Sequence, residues 1–233
     1  MPNWGEHILV ANKLLKKFKI TDINLFIFAN ILPDIQNGYL VKGISNIVPH
    51  KVNHFDLDDN RWGYQNFYDI YMDKMDNEAI LGYWIHLLTD FYWNNSFYSK
   101  KCLKEKDEYV GYKDKYGKII KKEKSKIRED KQKDFNIFQY WIYENNDMIL
   151  PKYNSNIAQN ANLIKSVNIN DNDVKLSIEY IEKSKEIGKK IVNKEDLLKI
   201  YSIRELEKQI DDTVDFICKI INKNIKSLKI LEN

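Results

Sequence analysis

NEAILGYWIHLLTDFYW, from Asn77 to Trp93, is the strongest helical signal in this chain of 233 residues. Ile80, Trp84, Leu87 or Leu88, and Phe91 recur at helical spacing and define a buried face. Gly82, His86 and Asp90 fall four apart and share a second stripe. A glycine inside a helix costs about 1 kcal/mol against alanine, so Gly82 predicts close approach by another backbone. His86 and Asp90 stand one turn apart, and both side chains can reach a single ion.

Working back from that helix, all four histidines lie within the first 86 positions: His7, His50, His54 and His86. Asp34 follows Pro33, where a helix is expected to break. Imidazole with carboxylate is a ligand set that suits zinc, iron or manganese. Each residue alone has a plainer reading. A single histidine on an apolar face is usually a hydrogen-bonded core residue, and Asp34 alone could cap a turn. His50 and His54 repeat the four-residue spacing but could face solvent. Their joint presence points to a metal site built from His7, Asp34, His50, His54, His86 and Asp90, with one or two ions.

The remaining segments read as more helices. Asn3 with Glu6 has the form of a capping box, and Ile8, Ala11, Leu15 and Phe18 carry a first helix to about Phe18. Thr21 is a candidate cap for INLFIFANIL, with Ile23, Ile27, Asn30 and Ile31 on one face. Residues 35–49 read as a loop, followed by a short segment around HKVNHF and the acidic turn DLDDN. RWGYQNFYDIYMDKM is helical and aromatic. VGYKDKYGKII suits a small hairpin or a mobile loop. Phe135, Phe138, Trp141 and Ile142 mark a further helix; the next has Asn172 as cap. Ile203, Leu206, Ile210, Val214, Ile217, Ile221 and Leu228 trace a long final one. The expected class is all-α: one helical domain over 1–233, with the metal site in 1–95, a lysine-rich insertion at about 100–133 and a helical scaffold in 134–233.

Composition is that of a soluble globular protein, 43% hydrophobic and 30% charged. No run reaches the roughly 18 apolar residues of a membrane span. No secretory signal is legible, and Cys102 and Cys218 lack metal or disulfide spacing, so the expected location is the cytoplasm. A net charge of +3 does not argue for nucleic acid as the partner. From Lys100 to Lys133, 14 Lys/Arg face 7 Asp/Glu. A solvated insertion is the first reading of that excess, and a patch steering an anionic substrate is the second.

Trp4 with His7, NILPD ending at Asp34, His54-Phe55, and LGYWIHLLTD ending at Asp90 together resemble the zinc-dependent phospholipase C family, which shares its helical fold with single-strand-specific zinc nucleases. The resemblance covers about the first 95 residues. It implies that Asp34, His54, His86 and Asp90 bind one zinc, and that Asp90 bridges to a second ion shared with His7. Two departures stand out. The family's amino-terminal Trp ligates through its own amino group, whereas three residues precede Trp4 here. The family's third metal needs later histidines, and none follows His86. His50 is an extra candidate that could stand in for a lost ligand.

The expected function is therefore metal-dependent, zinc-assisted hydrolysis of a phosphoester, a lipid head group among the candidates, with metal-activated water as nucleophile and Asp34, or another free carboxylate nearby, accepting its proton. The alternative is a catalytically degenerate helical module that binds metal and a phosphorylated ligand or partner. An HD-type phosphohydrolase ranks lower, because it needs an adjacent His-Asp pair and the chain has none.

Overall fold

A computed structural model describes residues 2–58 and 61–225. The described residues are mostly helical, with one small antiparallel sheet. In chain order the elements are α1 (Trp4–Leu15), α2 (Ile23–Ala29), α3 (Leu32–Ile35), α4 (His50–Asn53), α5 (Gly63–Tyr71), a 3-10 turn (Met72–Lys74), α6 (Glu78–Lys100), β1 (Cys102–Glu105), β2 (Glu108–Lys113), β3 (Ile119–Lys121), α7 (Lys124–Asn145), α8 (Asn156–Ala161), α9 (Asp171–Lys189), α10 (Lys194–Leu197) and α11 (Ile203–Asn224). No helix among them is long and apolar enough to cross a membrane.

α6 is the axis of the fold. Asn77 caps it by accepting from the backbone N–H groups of Ala79 and Ile80. From Ala79 to Asp90 every residue is buried, because α1, α2, α5 and α11 all pack around the helix. A helix buried all round is apolar all round, and the Ile80-to-Leu88 run is just that, interrupted at His86. Gly82 meets α2 as expected: a Cβ there would lie 2.6 Å from the Phe26 carbonyl oxygen and 2.7 Å from the Ala29 Cβ. One contiguous core joins Trp4 to Ile225 through α6 and α7.

The all-α expectation holds only in the coarser sense of a mostly helical chain. Part of the lysine-rich stretch 100–133 forms a three-stranded sheet in the order β1-β2-β3. β2 pairs with β1 from Cys102↔Tyr112 to Glu105↔Glu108, with a bulge between Leu103 and Lys104. The β2–β3 hairpin turns at Gly117, whose φ of 81° suits glycine. The sheet and its turns lie between the end of α6 at Lys100 and the start of α7 at Lys124.

Several local expectations shift. Asn3 makes no side-chain cap to α1. Its amide instead bonds Asn136 at 2.7 Å and accepts from Gln132 at 2.6 Å, tying the start of α1 to α7. α1 stops at Leu15, though Phe18 remains buried. Asp22, not Thr21, caps α2 by accepting from Leu25 N. Pro33 does more than end a helix: it occupies the first turn of α3, where its missing N–H is harmless. Asn170, not Asn172, caps α9 through a reciprocal pair with Asp173. α11 starts at Ile203 as expected and ends at Asn224, before Leu228, which lies outside the described residues, as does the end of the DLDDN turn.

Candidate metal centre

Four segments bring five of the six candidates to one point. α1 contributes His7, α3 Asp34, the end of α4 His54, and α6 both His86 and Asp90. His7 and His86 are fully buried, and none of the five is more than 6% exposed. Asp90 is the hub. Its Oδ1 lies 3.4 Å from His7 Nε2, and its Oδ2 lies 3.2 Å from His54 Nε2 and 3.5 Å from His86 Nε2. Asp34 closes the far side, 3.6 Å from His54 Nε2 and 4.0 Å from His86 Nε2.

The backbone decides which ring nitrogens face the centre. His86 Nδ1 sits 2.8 Å from the Asn30 carbonyl oxygen, and His54 Nδ1 3.2 Å from the His50 carbonyl oxygen. A carbonyl can only accept, so each Nδ1 carries its proton and donates. In the neutral rings Nε2 is then a bare lone pair. The two Nε2 atoms lie 3.3 Å apart, among carboxylate oxygens. Lone pairs and anionic oxygens at such distances repel one another unless a proton or a metal ion lies among them.

Unmet hydrogen-bonding capacity agrees. Both oxygens of Asp90 and both ring nitrogens of His7 are buried without a hydrogen-bond partner. Two overlapping ligand groups meet the distance requirement for a single ion: His7, Asp34 and His86, and His54, His86 and Asp90. The donor set of imidazoles and carboxylates is the one that suits zinc, iron or manganese.

Burial and proximity set the titration of these groups. Burial, helped by the His86 charge, pulls the His7 imidazole down to about 4. His86 is itself opposed by burial, but the Asp90 and Asp34 carboxylates outweigh this and raise it. Asp90 is pushed up by burial and held well below the usual carboxylate range by the imidazoles around it, His86 first.

His50 is the candidate that does not join the ligand groups. Its ring stacks on His54, centroids 3.7 Å apart and planes 6° apart, and it lines the mouth of the cleft. Burial and then His54 hold its imidazole down to about 4. Its carbonyl serves the centre by accepting from His54 Nδ1.

Supporting residues escaped the sequence reading. The Asn30 carbonyl fixes the His86 ring, and the Asn37 amide donates to Asp34 Oδ1 at 3.0 Å. The Asn37 spacing, three after Asp34, was a usable signal; a backbone carbonyl leaves none. A cleft of about 1040 Å³ opens over His54 and Asp90, walled by Trp62, Phe91 and Tyr109.

No protein family, curated protein or solved structure matches this chain.

Proposed function

We propose that the chain is a metal-dependent hydrolase of phosphoesters, similar in its chemistry to the zinc-dependent phospholipase C family. The observation that carries this reading is the meeting of the His54 and His86 Nε2 atoms with Asp34 and Asp90 beneath an open cleft. Asp34, His54, His86 and Asp90 would hold one ion, and His7 with the second oxygen of Asp90 would hold a neighbour. A bound zinc, iron or manganese ion supplies a Lewis acid and a water whose pKa falls to about 7.

The chain's own residues divide the remaining work. Asn30 and His50 lock the two rings through their carbonyls, so that Nε2 needs no rearrangement on binding. Asn37 engages only Oδ1 of Asp34. Oδ2, 4.0 Å from His86, is the oxygen left to accept a proton from the attacking water. The aromatic walls offer apolar surface against which the substrate would pack.

Elemental analysis of the purified protein, coupled to hydrolysis of bis-p-nitrophenyl phosphate, tests the proposal. One or two bound ions and a turnover lost in His86→Ala support it. A protein without bound metal, or full activity in that variant, overturns it. The near-complete burial of all five ligands favours one second reading, a structural ion in a non-catalytic module. Bound metal with four protein ligands and no turnover would select it.

A further inference from the structure

The α6 stripe that carries His86 and Asp90 continues at the same spacing through Asn94 and Tyr98. Each step of four advances about 6 Å along the helix axis. Facing these residues across the cleft is Lys131 of α7, with Arg128 exposed one turn earlier. Lys131 is 6% exposed, yet it lines the cleft. Its ammonium donates to Asn94 Oδ1 at 3.3 Å and lies 4.9 Å from the Phe97 ring and 5.5 Å from the Tyr98 ring.

A lysine this buried is normally matched by a carboxylate. Among the described residues none forms an ion pair with it. The adjacent carboxylate, Asp130, turns away and takes Lys122 and Lys199 instead. Asn94 and the ring faces hold the ammonium in place but bring no negative charge. The cation is thus oriented, desolvated and, among the described residues, without an ion-pair partner beside a cavity; the Asp90 carboxylate acts on it only from the next turn of α6. An anion entering the cleft would supply what is missing.

We infer that Lys131 is an anion-binding residue of the cleft, holding a phosphate oxygen of the ligand about one helical turn from Asp90. That the anion belongs to a hydrolysed substrate rests on the reading above; the anion site itself does not. It also narrows the lysine-rich stretch to one member, since its other lysines are not sequestered in this way.

Calorimetric titration of inorganic phosphate into the full chain after chelation of metal tests the inference. Phosphate should bind the wild type, bind at least tenfold more weakly to Lys131→Met, and bind unchanged to Lys133→Met, an exposed neighbour on α7. Replacing a buried, unmatched charge by an apolar chain of similar length should leave the melting temperature unchanged or higher. Should that variant fail to fold, Lys131→Gln serves in its place. Equal affinity in the folded lysine variant and the wild type, or no phosphate binding by the wild type, overturns the inference. Phosphate binding that depends on Lys131 in a protein without turnover would sink the hydrolase reading alone.

Discussion

The rings of His7 and His86 lie flat against each other, centroids 3.9 Å apart and planes 9° apart, although one comes from α1 and the other from α6. Two buried imidazoles in that position cannot both carry a proton cheaply, and His7 is the one held neutral. A neutral His7 keeps a lone pair available for coordination beside Asp90. At His7 the pairing thus favours the protonation state a metal ligand needs, whereas at His86 an incoming ion would have to displace a proton.

Removing metal should destabilise the protein. If the buried centre holds an ion as proposed, and the unfolded chain holds it only weakly, that ion adds stability by mass action. Chelation is expected to lower the melting temperature by several degrees, with recovery on adding zinc back. An unchanged melting curve, read by circular dichroism, contradicts this.

Asp90 touches three of the four histidines and should be the least replaceable ligand. Asp90→Ala is expected to abolish stoichiometric metal binding. His50→Ala should retain the ion, because that ring stacks on His54 without joining the ligand groups. Metal content after dialysis separates the two variants; equal loss in both would place His50 among the ligands.

Gly82→Ala should cost roughly 2–4 kcal/mol, since its methyl would meet the Phe26 carbonyl oxygen at 2.6 Å and force α2 away from α6. Urea unfolding measures the loss. A change within about 0.5 kcal/mol would mean that the helices separate freely.

Asp130 supplies a pH dependence away from the metal centre. Burial opposes its charge, but Lys122, Lys199 and the Tyr112 hydroxyl hold it down to about 2. A carboxyl depressed on folding contributes stability above its unfolded value of 3.8, and that contribution fades as pH falls towards 2. With half-exposed lysines as partners the effect is about 1 kcal/mol. Asp130→Asn should therefore be less stable than wild type at pH 7, with the gap closing in acid; a constant gap from pH 7 to pH 2 would contradict the linkage.

How far the sequence could be read depends on the range of the interaction involved. The α6 stripe was legible because helical periodicity alone puts Gly82, His86 and Asp90 in line. The clustering of His7, Asp34 and His54 was legible from residue type, but the choice of His54 over His50 was not. That choice depends on the left-handed turn at Phe55, φ 55°, and on a carbonyl contact. β1 went unseen because four residues in a lysine-rich run show no clear alternation, and only pairing with β2 makes them a strand. Caps at Asp22 and Asn170 were misplaced by one or two residues, where several polar side chains compete for the same N–H groups. Lys131 was hidden inside its own composition: nothing local distinguishes a sequestered lysine from solvated ones.

Every candidate ligand precedes residue 91, whereas α7 and α11, which pack against α1, come later in the chain. During synthesis the imidazoles and carboxylates therefore emerge before the helices that seal them. If so, the nascent chain should present a more easily entered cluster than the finished fold, in which these side chains are buried. Loading is expected to be easiest while the polypeptide is still being made, and a protein stripped after folding should take its ion back at a pace set by local opening.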